Sequence, residues 1–395
     1  MRLTPASELH TRIARFQARL QSAALDGALL SQNADLLYFS GTMQTSQLFI
    51  PDTGTPLLMT RKSYPRARQE SALQDIIHVQ GLRDLPGVLA AHGFAGARRL
   101  GLELDVLPAS TYLGLSNLLP DVQWADVSAI VRETRAIKSA YEIAILREAA
   151  VLMDRVFAAA PTLLRPGITE VEFAGMLEAI ARREGHPGVI RMRYLNQENF
   201  YGHVLSGENG AVPSYLDSPT GGQGLGPAMP QGASRKPIHP GEPVLVDLVA
   251  VVDGLMVDQT RIFALGSLPA DLLAAQAAML QVQKSVIEAA RPGAICGELY
   301  ELALRAAADL GYAANFMGFN DDRVNFVGHG VGLELNEMPV LARNVKTPLL
   351  PGHVFALEPK CLFPGLGAVG IENTWLVTEA GVERLTLTPD DVVVL

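Results

Sequence analysis

Two cysteines in 395 residues, Cys296 and Cys361, are too few for a disulfide framework, and neither stands in a metal-ligand spacing. That usage suits a reducing compartment, and both side chains read as core residues rather than reactive ones. No segment approaches the roughly 20 consecutive apolar residues that span a bilayer. Nor does the N-terminal region carry a secretory apolar run, because Arg12, Arg15 and Arg19 interrupt it. Low-complexity tracts and a defensible internal repeat are also missing. Basic residues are outnumbered, 32 Lys and Arg against 41 Asp and Glu, and the net charge of −9 argues against nucleic-acid and anionic-membrane partners. These absences leave the expectation of a cytoplasmic protein that handles peptides or small molecules.

What is present is the composition of a folded globular protein rich in turns: 48% hydrophobic, 18% charged, 36 Gly and 25 Pro. A chain this long exceeds one ordinary core, so two domains of unequal size are expected. Ile13, Phe16, Leu20 and Ala24 recur at helical spacing and predict a surface helix over 6 to 25. Apolar stretches at 28 to 30, 36 to 39, 47 to 50 and 56 to 59 read as short strands separated by turn residues, 33 to 35 among them. Helical patterns at 83 to 92 and 109 to 119 alternate with strands at 100 to 102 and 122 to 126, which gives an α/β domain over residues 1–132. The second domain, 133–395, opens with helices over 139 to 163 and 169 to 185. Strands and Gly-rich loops follow, then helices near 269 to 290 and 297 to 310, then a strand-rich end. The run Gly221-Gly-Gln-Gly-Leu-Gly226 lacks a Lys-Ser/Thr ending and a following helix, and reads as a loop rather than a phosphate cradle.

The strongest local signal is the apolar pair Val244 to Val252 and Leu255 to Phe263, with Asp253-Gly254 as a two-residue hairpin turn. If Val252 faces Leu255, then Val249 faces Asp258 and Asp247 faces Thr260, so Asp247 and Asp258 share one face. Two buried like charges need protonation or cations. On the hairpin alone, a solvated aspartate on an edge strand remains an equal alternative. Further on, His329 sits in Gly328-His-Gly-Val-Gly332, where glycines would let a ligand or metal approach the backbone. Val354-Phe-Ala-Leu-Glu358 and Val369-Gly-Ile-Glu372-Asn-Thr-Trp-Leu-Val377 are strand-like runs, each interrupted by one acid. Four carboxylates and a neutral imidazole offer a charge of −4 that two divalent cations would balance, and the oxygen-rich set suits Mn²⁺, Co²⁺, Fe²⁺ or Zn²⁺. A dinuclear site is therefore expected.

The ordered set Asp247, Asp258, His329, Glu358 and Glu372, with Asp258-Gln-Thr-Arg261 and Glu358-Pro359, resembles the metal-binding half of the prolidase, aminopeptidase P and methionine aminopeptidase family. Arg135-Ala-Ile-Lys-Ser-Ala-Tyr-Glu-Ile143 looks like the start of that catalytic domain. Asp35-Leu-Leu-Tyr-Phe-Ser-Gly41 looks like the N-terminal domain of prolidases and creatinase. The resemblance implies a creatinase-like α/β N-terminal domain, an α+β pita-bread catalytic domain, a homodimer and two metals held by those five residues. In that scheme a metal-bridging hydroxide attacks a scissile amide of a short peptide, as in Xaa-Pro peptidases, and Glu358 handles the proton.

Two departures stand out against this resemblance. Family peptidases usually carry histidines at the places occupied here by Ser214 and Asn336. Neither side chain can act as an acid near neutral pH, although either could hydrogen-bond a substrate carbonyl. His203 is a candidate source of the missing imidazole, beside the alternative of a structural role. Arg261 reads as a partner that orients the site, Arg343 and Lys346 as a solvated pair, and His239 and His353 as solvated. The losses keep open a non-peptidase acting on a small amide or other metabolite, as in creatinase, and a catalytically silent scaffold ranks last because all five ligands stand.

Overall fold

The computed structural model describes residues 2–197, 200–213 and 215–395; Ser214 lies outside them. The chain divides into two compact units, Met1–Arg135 and Ala136–Leu395. The first unit contains α1 (Ala6–Ser22), β1 (Gly27–Leu30), α2 (Asn33–Ser40), β2 (Ser46–Pro51), β3 (Leu57–Thr60), α3 (Tyr64–Glu70), β4 (Asp75–His78), α4 (Leu85–Ala91), β5 (Arg99–Leu102), α5 (Ala109–Leu118) and β6 (Gln123–Asp126). α6 (Ser128–Ala136) ends it. The strands form one mixed sheet in the order β4-β3-β2-β1-β5-β6. One face of it buries Leu29, Phe49, Leu57, Leu100 and Leu102 against Leu85, Leu89 and Leu115 of the helices.

The strand expected over 36 to 39 is instead part of α2. The Gln32 side chain accepts a hydrogen bond from the Asp35 amide at 2.9 Å, and Gly41 at φ +77° closes the far end. Ala34, Leu36, Tyr38 and Phe39 are all buried. A helix apolar on every side has no amphipathic period, which is why it reads as a short buried strand. Asp35 inside its first turn meets Arg135 at 2.6 Å with both side chains buried.

In the second unit, α7 (Ala140–Leu163) starts at a capping box: Ser139 Oγ accepts from the Glu142 amide and the Glu142 carboxylate accepts from the Ser139 amide. α8 (Glu170–Arg183) starts at the same device on Thr169 and Glu172. The buried Glu170 carboxylate accepts from the amides of Ser206 and Ser234, from their hydroxyls and from Asn209 Nδ2, at 2.6 to 2.9 Å. Those bonds tie the loop before residue 236 to β7 (Gly202–Ser206), since its backbone groups would otherwise be buried without partners. β8 (Pro243–Val252) and β9 (Leu255–Ala264) follow, then α9 (Ala270–Ala289) and α10 (Cys296–Asp309). The strand-rich end contains β10 (Phe326–Gly330), β11 (Glu337–Ala342), β12 (Val354–Leu357), β13 (Lys360–Phe363), β14 (Gly367–Gly370), β15 (Asn373–Thr378), β16 (Gly381–Arg384) and β17 (Val393–Val394).

These strands make sheets ordered β11-β10-β12-β15-β16 and β17-β9-β8-β7, with the β13-β14 pair beside them. α9 and α10 pack Met279, Val282, Val286, Leu299 and Ala303 against Val327, Phe355, Leu357 and Val369, which holds the sheets together from one side. Cys296 and Cys361 lie in the same core, and burial pushes the Cys361 thiol up to about 12, so neither is poised as a nucleophile. Among the described residues no helix is long and apolar enough to cross a membrane.

His186 and His353 are buried, not solvated as expected for His353. His353 Nδ1 accepts from the Leu350 amide at 3.1 Å, and His186 Nδ1 accepts from the Gly188 amide at 2.9 Å. Burial lowers both imidazoles to about 4. The unfolded chain takes up these protons near pH 6.5 and the folded chain resists them, so stability is full above pH 6.5 and declines as pH falls toward 4. Urea unfolding between pH 7 and 5 should show this decline, and His353→Asn should make it shallower; an unchanged slope in the variant would contradict the assignment.

Candidate metal centre

The Asp253-Gly254 turn sets the register from which the site is built. Asp253 and Gly254 take positive φ of 47° and 87°, the twist a two-residue hairpin needs. Val252 pairs with Leu255, Val249 with Asp258 and Asp247 with Thr260, as the turn predicts. β9 is then joined to β15 through Thr374, whose hydroxyl accepts from the Asp258 amide and donates to the Asp258 carbonyl, both at 2.9 Å. An isolated bridge between Thr260 and Glu372 continues the junction, and Thr260 Oγ donates to Glu372 Oε2 at 2.8 Å. Glu358 and Glu372 stand just outside β12 and β15 rather than within strands, so their backbones leave the ladders where the side chains turn inward.

His329 lies on β10, the strand between β11 and β12. Its glycine neighbours serve the sheet rather than a ligand. A Cβ at Gly328 would meet the Ala356 carbonyl at 2.4 Å, and one at Gly330 the Met338 carbonyl at 2.3 Å. Only glycine permits that approach of the flanking backbone. The imidazole Nε2 points at three acids: Glu358 Oε1 at 3.5 Å, Asp258 Oδ2 at 3.9 Å and Glu372 Oε1 at 4.0 Å.

A residue overlooked in the sequence completes the cluster. Lys360, wholly buried at the start of β13, donates to Glu358 Oε2 at 2.6 Å, Glu372 Oε2 at 2.9 Å and Asp247 Oδ2 at 3.1 Å. The signal was available: Lys360 is a charge directly before the apolar run Cys361-Leu-Phe363, two residues after Glu358 and hence on its side of an extended segment. Burial works to raise the Asp247 carboxyl, but Lys360 and His203 outweigh it and hold the group below its usual range. For Asp258 burial, with Glu372 and Asp247 nearby, outweighs the pull of Lys360 and pushes the carboxyl well above its usual range. Burial also carries Glu372 to about 8 despite Lys360. For Lys360 the three carboxylates overcome burial and keep the amino group charged.

Two carboxylate oxygens in this cluster, Asp258 Oδ1 and Glu372 Oε1, are buried without a hydrogen-bond partner. Asp258, His329 and Glu372 each offer a ligand atom within 4.8 Å of the others. Orphaned anionic oxygens beside an imidazole fit a divalent cation, because the hydrogen bond of Lys360 reaches only the other oxygen of Glu372 and leaves these two unsatisfied.

The other sequence candidates are placed as follows. His203 stands across from Asp247 in the β7–β8 ladder, on the same face as the carboxylates, and burial lowers its imidazole. Asn336 spends its amide on the Arg193 backbone, accepting from the amide at 2.8 Å and donating to the carbonyl at 3.1 Å. Arg261 is buried and donates to the Glu372 carbonyl at 2.8 Å and to Asn373 Oδ1 at 2.8 Å, which steadies the segment carrying Glu372. Arg343, Lys346 and His239 are exposed. Glu337 was also missed: its carboxylate meets Lys138 at 2.9 Å and accepts from the amides of Leu333 and Glu334, fixing the turn after His329.

An α/β unit followed by strand pairs that converge on acids and one histidine defines the two-domain metal-dependent hydrolases. Residues 144–379, more than half of the chain, match Metallopeptidase family M24, and residues 12–137 match the Creatinase/Prolidase N-terminal domain. The chain belongs to metallopeptidase family M24, with the creatinase-type N-terminal domain and the pita-bread catalytic fold. It is 28% identical over 372 residues to the Xaa-Pro dipeptidase of Pyrococcus horikoshii, covering 94% of this chain and 95% of that one. The structure is similar to the Xaa-Pro dipeptidase from Bacillus anthracis, with a TM-score of 0.84 and 27% identity over 98% of this chain and 100% of that chain. The X-Pro aminopeptidase from Thermotoga maritima gives 0.80 and 25%, over 95% and 100%.

Removing one partner of a buried ion pair strands the other charge. Lys138→Met should therefore cost about 3 kcal/mol in urea unfolding by taking the lysine's charge away from the buried Glu337 carboxylate, and a loss below about 1 kcal/mol would show that this ion pair does not steady that turn.

Proposed function

We propose that this chain hydrolyses the amide bonds of short peptides, with proline after the scissile bond as the substrate feature to test first. The observation that carries it is the pair of orphaned buried oxygens on Asp258 and Glu372 beside His329, in a chain whose relatives include Xaa-Pro dipeptidases. Asp258, His329, Glu358 and Glu372 would hold divalent metal, with Asp247 the fifth member of the set. When bound, the metal supplies Lewis-acid polarisation of the amide carbonyl and activation of water.

The chain's own residues divide the remaining work. Glu358, with Oε1 facing the His329 side and Oε2 on Lys360, would take a proton from the attacking water and hand it to the leaving nitrogen. His203, facing Asp247 with its imidazole lowered by burial, can orient substrate or relay a proton. A homodimer in the cytoplasm is part of the same proposal.

One observation favours a second reading. Asn336 occupies the place where family peptidases carry a histidine, and both ends of its amide are already engaged by Arg193. A small amide or related metabolite that does not need that contact would suit the site.

Hydrolysis of Xaa-Pro and non-proline di- and tripeptides, using chelator-stripped protein reloaded with Mn²⁺, Co²⁺ or Zn²⁺, separates these. Metal-dependent cleavage is expected, with a loss of about 100-fold or more in Asp258→Ala. Metal binding without cleavage of any peptide would exclude the peptidase reading and leave the small amide.

A further inference from the structure

We infer that each chain holds one metal ion, at Asp258, His329, Glu358 and Glu372, and that Lys360 fills the position on the Asp247 side where a second ion would sit. The inference rests on the metal-dependent reading above. It departs from the two-cation count drawn from the sequence, which set four carboxylates against two divalent ions and left out the lysine.

The cluster is divided by its hydrogen bonds. A lysine amino group has three donors, and Lys360 gives one each to Asp247 Oδ2, Glu358 Oε2 and Glu372 Oε2. Asp247, the carboxylate farthest along that side, is thus satisfied by the chain itself. The oxygens left without a partner, Asp258 Oδ1 and Glu372 Oε1, belong to the two acids grouped with His329. One half of the cluster is complete and the other half lacks a cation. An ion ligated by the same three oxygens as Lys360 would stand at the amino group's own position, and a group already donating three hydrogen bonds has nothing to offer a metal.

Withdrawal of the side chain is hindered. Lys360 pairs with Gly370 across β13 and β14, and its carbonyl accepts from the Met317 amide at 2.9 Å. A Cβ at Gly370 would touch Lys360 Cα and Cγ at 2.7 Å, so the stem lies directly on the opposite backbone. The residue is fully buried, so its amino group does not reach water in this arrangement.

The test is metal content by plasma mass spectrometry on the full chain, stripped with chelator, reconstituted with Mn²⁺ and dialysed. Circular dichroism and urea unfolding establish that each variant is folded. Wild type should retain one Mn²⁺ per chain with the electron paramagnetic resonance signal of an isolated ion. Lys360→Gly should retain two, with an exchange-coupled signal, and Lys360→Ser provides the same reading if the glycine variant does not fold. Two ions in wild type overturn this inference while leaving the hydrolase reading intact. No ion in wild type overturns both. A folded variant that still holds one ion overturns the assignment of the second position to Lys360.

Discussion

Four carboxylates brought together out of water repel one another, and the geometry of the second unit is organised around offsetting that repulsion. Asp247 and Asp258 come from one hairpin, Glu358 and Glu372 from the ends of two further strands, so no local element could assemble the cluster alone. Lys360 supplies one positive charge from within the chain. What it leaves uncompensated lies around Asp258, where burial and the neighbouring acids favour a proton or a cation. The ligand set is thus a balance between an internal cation and an external one.

Supporting contacts explain how such a cluster stays in place. Thr374 and Thr260 lock the strands that carry Asp258 and Glu372, and Arg261 holds the backbone at Glu372 from behind. Glu337, paired with Lys138, fixes the turn that follows His329. The two threonines and Arg261 act on a ligand's backbone or oxygen, and Glu337 on the turn beyond His329, rather than on the reacting centre, and a site held this way is pre-organised before metal arrives.

Much of this was legible in the sequence because the relevant signals were local and strong. Asp253-Gly254 between apolar runs sets the turn, and period-two alternation then carries Asp247 and Asp258 to one face without further information. Acids inside apolar runs pointed to Glu358 and Glu372. α2 was misread because it is buried on all sides, which erases the helical period. Lys360 is less legible because a lysine at the edge of an apolar run ordinarily carries its charge out to water, and the glycines around His329 allow backbone on backbone rather than a ligand. The partners of His353, Asn336 and Glu337 lie in the tertiary structure, where no spacing rule reaches.

Anomalous diffraction from crystals grown with Mn²⁺ tests the balance of internal and external cations most directly. The account predicts one anomalous peak among Asp258, His329, Glu358 and Glu372, with Lys360 Nζ resolved against Asp247, Glu358 and Glu372. Two peaks with Lys360 displaced, or no peak among these acids, would contradict it.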